Sequence, residues 1–582
     1  MDETSMSQPS SHPSSALVVD FECRSVPLEI RKQLYRPLRP WQTRILRIHP
    51  SEDLDSPATC ELLTADLVAI PGIGLSDEGE RVQYDALSYS WGYPAFTQSV
   101  TCNGIRFPVS QTLYDAFRYL RRPHDVRYLW TDAFCIDQAN PDEKAKQVAM
   151  MVLIFFKARR VVAWLGTCTD DDDFLFSFLS TEFEESGRKR GQATEESALR
   201  YSRAQRAATK LITTKAFFQR SWTRVEYHAA QDMELVCGCY TASFRQFKGA
   251  LGILLPPYST TENADESRAL LRYTFFNREC LIANDMDWFQ TMIRSTIYQT
   301  TLPQDKVFST LGIVSKEQHT SLQNPRPNAT NGFPAIDYTK PVSLVFQDFL
   351  KHTINQEGTL KCLCILQDRS IHSADLPSWA IDLRVDTPRY QMDFSQIYLG
   401  FWSNAATQDF DEHGILVCHG TRIASIVSTN TECSSRVPWS KIGGYPILVD
   451  VLTGNYVSNE NKILIPLLSD PQTDIPNMDR IEKDCRYTWR QVVPEGGTTF
   501  SPSDCAPEYA FVSSLAKDKD ILVSLVGSDC LIVLRETPEG RFTFLGPAIS
   551  VQQLSKGGDM YHVVLPNIWS KGIEFREEFL LV

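Results

Sequence analysis

Between residues 80 and 240 the chain alternates strand-like and helix-like segments, and this alternation limits its fold more than any other feature. The strand patterns lie at residues 82–91, 127–134, 159–165 and 234–237. A helix start is clearest at Asn140-Pro141, where an N-cap residue precedes a proline in the first turn. Ser110 can cap another helix over residues 110–122, and residues 217–231 also look helical. Such alternation is typical of a parallel sheet with helices on both faces. We therefore predict an α/β fold with a parallel sheet for this part of the chain.

Three blocks of polar and aromatic residues interrupt the apolar pattern. Block one is residues 84–92, block two is residues 129–138, and block three is residues 220–226. The first two blocks lie at the carboxyl ends of predicted strands, and the third begins a helix that follows the third strand. Ligands of open α/β sheets bind beyond the carboxyl ends of the strands. We therefore expect the three blocks to gather at one site.

The first two blocks offer candidate binding residues. Ser90, Trp91 and Gly92 come where the first strand opens towards the site. Asp132 and Asp137 are carboxylates in an otherwise apolar strand end, where a lone buried charge is costly. A structural interpretation stays open, in which Asp132 accepts hydrogen bonds from backbone amides and Asp137 caps a turn.

Two further residues have a chemical and a structural interpretation. Cys135 is a candidate nucleophile, but no histidine is near it in sequence, so a buried thiol is the favoured interpretation. Glu226 comes four residues after Trp222, which places both on the same face of a helix. If Trp222 points into the site, Glu226 does too. The alternative is an exposed Glu226 paired with an arginine of its own helix.

Charge and composition exclude several classes of protein. The net charge is −13, and no Lys/Arg run is longer than residues 188–190, so nucleic acid is not an expected partner. Residues 1–15 lack the pattern of a signal peptide, and the longest apolar run, residues 148–156, is far shorter than the ~20 residues of a membrane span. The 15 cysteines include no CxxC pair, so we expect neither a metal nor a cofactor. A cytoplasmic location is the expectation.

The remaining chain divides by pattern. We predict an N-terminal tail over residues 1–40 and an α/β domain over residues 41–255, with its core at 80–240. Residues 256–400 are expected to be mostly helical. Short apolar runs separated by turns predict a β-rich region over residues 401–582, with one helix near residues 478–493.

The blocks together resemble the heterokaryon incompatibility (HET) domain of fungal proteins. The resemblance rests on YDALSYSWG from Tyr84, LWTDAFCIDQ from Leu129, QVxxM from Gln147 and VVAWLG from Val161. Weaker similarity to segments that commonly follow a HET domain continues at residues 305–312, 336–338 and 376–379. The resemblance implies a role in non-self recognition and regulated cell death.

HET domains are remotely similar to the TIR fold, a flavodoxin-like α/β domain. Some TIR domains cleave NAD at the nicotinamide–ribose bond with a glutamate four residues after a tryptophan. Here the sequence from Trp222 to Glu226 keeps that spacing. The resemblance therefore implies Glu226 as the catalytic residue and NAD as a substrate. The substrate-binding residues would be Ser90, Trp91, Gly92, Asp132, Cys135, Asp137, Gln138 and Trp222.

Block three also departs from its family. Many HET domains have a second tryptophan where Glu226 stands, and a Gln-Glu pair where Ala229-Ala230 stand. The nearby Asp232 is six residues past Glu226, about 240° round a helix, so it does not share the site face. Glu226 is thus the best-placed acid. The competing hypothesis is a non-enzymatic signalling module that assembles with itself or with a protein partner.

Overall fold

The structure is a computed structural model. It describes residues 28–67, 74–75, 81–92, 96–186, 195–255, 288–296, 298–311, 335–384, 390–392, 409–411, 413–427, 442–443, 448–450, 455–457, 463–464, 487–494, 509–528, 530–553, 561–563 and 577–582. Predictions for the intervening residues lie outside the described part of the chain.

The helices and strands follow in chain order. The α-helices are α1 Leu28–Leu34, α2 Gln111–Leu120, α3 Asp132–Cys135, α4 Pro141–Ala149, α5 Met151–Lys157, α6 Asp170–Ser186, α7 Glu195–Thr214, α8 Ser221–Ala229, α9 Phe244–Leu254, α10 Trp288–Ser295, α11 Asp305–Phe308 and α12 Val342–Glu357. Short 3₁₀ helices lie at Ala216–Gln219, Lys361–Cys364 and Arg369–Ile371. The first eleven strands are β1 Gln42–Ile48, β2 Thr59–Asp66, β3 Gly74–Leu75, β4 Arg81–Val82, β5 Asp85–Tyr89, β6 Gln98–Cys102, β7 Ile105–Val109, β8 Arg127–Trp130, β9 Arg160–Trp164, β10 Met233–Cys237 and β11 Tyr240–Ser243.

The other strands are short or belong to the C-terminal part. They are β12 Ile365–Leu366, β13 Tyr390–Met392, β14 Asp409–Phe410, β15 Leu416–Ile426, β16 Ile442–Gly443, β17 Leu448–Asp450, β18 Asn455–Val457, β19 Ile463–Leu464, β20 Tyr487–Pro494, β21 Tyr509–Ser513, β22 Ile521–Leu525, β23 Leu531–Glu536, β24 Phe542–Gln553, β25 Tyr561–Val563 and β26 Glu577–Leu581.

A nine-stranded sheet in the order β11-β10-β9-β5-β8-β1-β2-β6-β7 forms the N-terminal region. Its four central strands, β10, β9, β5 and β8, are parallel. The predicted parallel sheet is therefore confirmed only for this core. The whole sheet is mixed, because β11 pairs antiparallel with β10, β1 pairs antiparallel with both β8 and β2, and β6 and β7 form a hairpin. Chain segments joined by a tight hairpin turn have to run antiparallel.

The core strands and their helices arise from the patterns that predicted them. All five residues of β5 are buried, as expected for a parallel strand that is covered on both faces. Ser110 caps α2 by accepting from the amide of Leu113, and Asn140 caps α4 by accepting from the amide of Glu143. These caps confirm both predicted helix starts.

Three boundaries differ from the prediction. The strand expected over residues 82–91 is shorter, because β5 covers only Asp85–Tyr89 and Val82 belongs to β4, which pairs with β3 in a separate sheet. The strand expected over residues 127–134 ends at Trp130, because Asp132–Cys135 turn into the short helix α3. The amide of Cys135 donates to the carbonyl of Thr131 at 2.8 Å, a helical bond that ends the extended conformation. The helix expected over residues 217–231 begins as a 3₁₀ turn, and α8 occupies only Ser221–Ala229.

Buried apolar residues group into one N-terminal cluster and two downstream ones. The N-terminal cluster runs from Leu34 to Leu255, and the larger downstream cluster runs from Phe289 to Leu581. The downstream cluster joins the helices α10–α12 to the strands that follow, so these helices and strands share a core. Within the tail predicted for residues 1–40, residues 28–34 form helix α1.

The C-terminal part is rich in β-structure, as predicted. Its largest sheet has ten strands, and a five-stranded sheet contains β12, β13 and β17–β19. The helix predicted near residues 478–493 is wrong for residues 487–493, which belong to β20; residues 478–486 lie outside the described residues. Strand β20 pairs with β15 and β21, and this long-range pairing overrides the local helical pattern.

Candidate active site

The three blocks meet at the carboxyl end of β5. In chain order, the four parallel strands lie second, first, third and fourth across the sheet. The chain crosses from β5 to β8 on one side and later returns to β9 on the other. The carboxyl end of β5 is therefore a topological switch point, the position at which open α/β sheets commonly bind their ligands. Residues 90–92 of block one follow β5 directly at this point.

Blocks one and two are joined by the pair Trp91–Asp132. The indole Nε1 of Trp91 donates to Oδ2 of Asp132 at 2.7 Å, and the backbone amide of Ala133 donates to Oδ1 at 2.8 Å. Burial raises the pKa of the Asp132 carboxyl, while Arg220 and the Trp91 hydrogen bond oppose that rise. The side chain of Gln138 donates to the backbone carbonyl of Asp132 at 2.8 Å. Asp132 is thus held from both sides in one orientation.

Glu226 points inward from α8 towards β5. Its residue is 3% exposed, and its Oε2 accepts a hydrogen bond from the hydroxyl of Ser88, which is fully buried. Burial raises the pKa of Glu226 to about 7; Arg220 and the Ser88 hydrogen bond act in the opposite direction, and Asp132 raises it further. The alternative of an exposed Glu226 is therefore wrong. Asp232, by contrast, has a 60% exposed side chain that faces Arg160 at 3.5 Å, away from this cluster.

Arg220 is the positive charge between the acids. Its Nη1 donates to the backbone carbonyl of Tyr89, the last residue of β5. Its charge acts on Asp132 and Glu226, and also on Asp305 from the downstream part of the chain. One guanidinium therefore faces three carboxyl groups that come from separate parts of the sequence.

Residues downstream of block three extend the cluster. Asp305, the first residue of α11, is buried and accepts from the hydroxyl of Tyr338 at 2.8 Å. It also hydrogen bonds with the Trp222 side chain and interacts with the charge of Lys144. The Lys144 ammonium lies 4.7 Å from the centroid of the Tyr338 ring, in a cation–π arrangement. Trp222 packs against both the N-terminal and the downstream core.

Two predicted substrate-binding residues have contacts outside the cluster. Cys135 is completely buried, and its sulfur accepts from the backbone amide of Thr131 at 3.4 Å. Burial raises the pKa of Cys135 to about 12, so the group is a neutral thiol at neutral pH. Asp137 is paired with Arg31 of α1 at 2.5 Å and accepts from the backbone amide of Ala139. These contacts agree with the structural interpretation, in which Cys135 is a buried thiol and Asp137 caps a turn.

Ser90 and Gly92 lie at the open end of block one. Ser90 is partly exposed and Gly92 is exposed. Gly92 has φ +73, a conformation that other residues rarely adopt, and an added Cβ would lie 2.7 Å from Oγ1 of Thr112. The turn after β5 therefore requires glycine for its backbone geometry.

The cluster presents several kinds of chemical group at one place. Within the described residues, no group of His, Cys, Asp and Glu side chains is arranged to hold a metal ion. Three carboxyl groups, two cationic side chains and the rings of Trp91 and Trp222 offer hydrogen bonds, opposite charges and stacking surfaces. Burial raises the pKa of Glu226 to about 7, so this carboxyl group changes charge in the pH range where most enzymes act.

Sequence reasoning singled out Glu226, Trp91, Asp132, Gln138 and Trp222, all of which the structure brings together. It did not assign roles to Ser88, Arg220, Lys144, Asp305 or Tyr338. The signal for two of these was present, because Asp305 and Tyr338 fall in the downstream segments that resemble those following a HET domain.

The site region coincides with a known family. The sequence profile of the heterokaryon incompatibility protein (HET) family matches residues 84–226, which begin at block one and end at Glu226. This part of the chain is therefore a HET domain.

None of the helices in the described ranges has the length and apolar character that a membrane crossing needs.

A curated relative extends the similarity beyond that domain. The chain is 24% identical over 402 residues to heterokaryon incompatibility protein 6, OR allele, of Neurospora crassa. The match covers 58% of this chain and 57% of the length of that protein, which shows distant homology. No solved structure matches the chain.

Proposed function

We propose that this protein acts in heterokaryon incompatibility, as a component of non-self recognition and regulated cell death. The HET domain and the distant homology to an incompatibility protein of Neurospora crassa support this role. A role of this kind requires self-association or a protein partner through which the signal is received.

We further propose that the HET domain is flavodoxin-like and related to TIR domains, and that it cleaves NAD at the nicotinamide–ribose bond. The order of the four parallel strands is that of the flavodoxin-like sheet, whose ligands bind at the switch point beside its first strand. The observation that carries the proposal is the position of Glu226 at this switch point, beside Ser88 and within the field of Arg220 and Asp132.

The chemistry needs one well-placed carboxylate. When the bond between nicotinamide and C1′ of the ribose breaks, nicotinamide leaves with the bonding electrons as a neutral molecule. The ribose passes through an oxocarbenium-like state, whose positive charge the ionised Glu226 stabilises. Water then adds at C1′ and gives ADP-ribose and a proton. Trp91 and Trp222 offer rings for stacking, and Asp132 and Gln138 offer polar contacts.

The pKa of Glu226 sets the pH dependence of this reaction. Burial raises this pKa to about 7, and only the ionised carboxylate stabilises a positive charge. Cleavage is therefore expected to increase as the pH rises through about 7 and to fall below it. Because Glu226 is 3% exposed, a nucleotide reaches it only after neighbouring side chains move.

The test is release of free nicotinamide from NAD by the purified full-length chain, both as isolated and after forced oligomerisation. We expect release by the wild type and loss of release in Glu226→Gln. The matched control is Glu234→Gln, which alters a glutamate of β10 that pairs with Arg160 at 3.1 Å outside the cluster. NAD cleavage is excluded if the wild type releases no nicotinamide in either state, or if Glu226→Gln releases as much as the wild type.

A second candidate function is a non-enzymatic module that signals by assembly. The closed position of Glu226 favours it, since the hydrogen bond to Ser88 also suits a purely structural carboxyl group. Under this hypothesis, oligomer size measured by light scattering changes on activation while NAD stays intact. Glu226→Gln would then have no effect on the amount of intact NAD. It would change assembly only through its effect on the stability of the fold.

A further inference from the structure

We propose that Asp305 is a positioning residue of the candidate site, which it reaches from outside the segment that matches the HET family. It holds the Trp222 indole in place and shares the charges of Arg220 and Lys144 with Asp132. This inference rests on the proposed function for its effect on NAD, but not for the contacts that it describes.

The backbone fixes Asp305 relative to α8. The amide of Ser221 donates to the carbonyl of Gln299 at 3.1 Å, and the amide of Gln299 donates to the carbonyl of Gln219 at 2.6 Å. The hydroxyls of Ser221 and Ser309 are hydrogen bonded to each other. These bonds tie the start of α8 to both sides of α11, so Asp305 and Trp222 cannot move far apart independently.

A second contact holds α8 in place about one helical turn further on. The guanidinium of Arg224 lies 4.7 Å from the centroid of the Tyr298 ring, and both side chains are almost completely buried. The Lys306 ammonium in turn donates to the carbonyls of Thr296 and Tyr298 at 2.8 and 2.5 Å. Residues 298–309 therefore pack against and support the helix that carries Glu226.

Within this support, the charge of Asp305 is directed at the site. Its carboxyl group is buried, and burial raises its pKa, whereas Tyr338, Trp222, Lys144 and Arg220 oppose that rise. A carboxyl group used only to connect two parts of the fold would be costly here, because apolar packing gives comparable stability without desolvating a charge.

Two of those four groups, Lys144 and Arg220, also act on Asp132. Asp305 and Asp132 therefore both interact with the same two cations. Removal of the Asp305 charge leaves both cations to Asp132 and releases the indole of Trp222, which lies one helical turn before Glu226.

The test uses the full-length chain labelled with 5-fluorotryptophan, with the Trp222 fluorine resonance assigned by Trp222→Phe. We expect Asp305→Asn to shift that resonance and to lower kcat/KM for NAD between about 10-fold and 100-fold, the scale of a small misplacement in a site. In a Trp222→Phe background, Asp305→Asn should add little further loss, because the two residues act together.

The control is Asp348→Asn on α12, which breaks a partly exposed pair with Lys340, a residue that precedes this helix. It should leave both the Trp222 resonance and NAD cleavage unchanged. An unmoved Trp222 resonance in Asp305→Asn, or kinetic losses from Trp222→Phe and Asp305→Asn that simply add, would overturn the positioning role. If the wild type does not cleave NAD, the proposed reaction fails, yet the Trp222 resonance still decides whether Asp305 positions the indole.

Discussion

Replacement of Glu226 by Gln should stabilise the folded protein at pH 8 and have little effect at pH 5. Glu226 is 3% exposed, and burial raises its pKa to about 7 from an ordinary value of 4.5. The folded state therefore holds this proton more tightly than the unfolded state does. An isosteric amide keeps the shape and a hydrogen bond to Ser88 but never has to ionise.

The size of the effect follows from linkage. Below pH 4.5 the carboxyl group is protonated in both states, and its burial carries no charge penalty. As the pH rises from 4.5 to 7, the unfolded state ionises first, so the free energy of unfolding decreases. Above pH 7 the loss reaches about 3 kcal/mol for a difference of this size between the two pKa values. At pH 5 it is below about 1 kcal/mol.

Thermal unfolding of the two proteins at pH 5 and pH 8 measures this difference, with tryptophan fluorescence as the signal. A gain of about 3 kcal/mol corresponds to a Tm increase of roughly 6–12 °C for a domain of 150–250 residues. Glu234→Gln, at a partly exposed position, should show no such gain at pH 8. If Glu226→Gln lowers Tm at both pH values, the buried carboxyl group is not destabilising in its ionised form, and Glu226 is instead an ionised structural residue.

Two further predictions concern the neighbours of the site. Gly92→Ala should destabilise the domain by about 1–2 kcal/mol because of its positive φ. The loss should exceed that of Gly104→Ala, because Gly104 has φ +77 but no atom within 4 Å of the added Cβ. Equal Tm losses in the two variants would contradict the role of Thr112. Native Cys135 should resist alkylation by iodoacetamide, because its thiol is buried and its pKa is raised to about 12. Rapid labelling of Cys135 in the folded chain, detected by peptide mass spectrometry, would contradict this assignment.

The parallel core could be predicted because its signals are local. Ser110 and Asn140 mark helix starts by the hydrogen bonds that their side chains make within one turn. The short, mainly apolar strands before and after these helix starts are likewise recognised from neighbouring residues alone. The alternation of strands and helices then predicts that the strands are parallel, so that blocks one and two lie at the same edge of the sheet.

The antiparallel flanks could not be derived in the same way. Strand β1 pairs with β8 through contacts such as Leu46 with Leu129, which are remote in sequence and leave no local pattern. The hairpin of β6 and β7 did have a local signal, because Asn103 and Gly104 both have positive φ, as a two-residue hairpin turn requires. Apolar residues alternate with other residues on either side of Asn103-Gly104, and this pattern could have identified the hairpin.

The candidate site also has one part that the local sequence predicts and one part that it does not. The spacing between Trp222 and Glu226 correctly predicted that both side chains face the cluster, because a helix repeats locally. The counter-charges were not predictable, because their places depend on how distant segments pack. Lys144 lies on a helix with an ordinary charged pattern, and Asp305 belongs to a separate core.

The buried charges of this cluster argue for a ligand. Replacement of buried ion pairs by well-packed apolar residues is often neutral or stabilising, because the desolvation of a charge can cost more than its pairing returns. Glu226 illustrates the point, since its ionised form costs the fold about 3 kcal/mol above pH 7. Proteins keep such costs mainly at functional sites, where stability is lost for activity. A Glu226→Gln protein that is more stable at pH 8 but has lost its effect on NAD would show this exchange directly. One that is more stable and leaves NAD turnover unchanged would place the function of the cluster elsewhere, in Asp132, Asp305 and the cations between them.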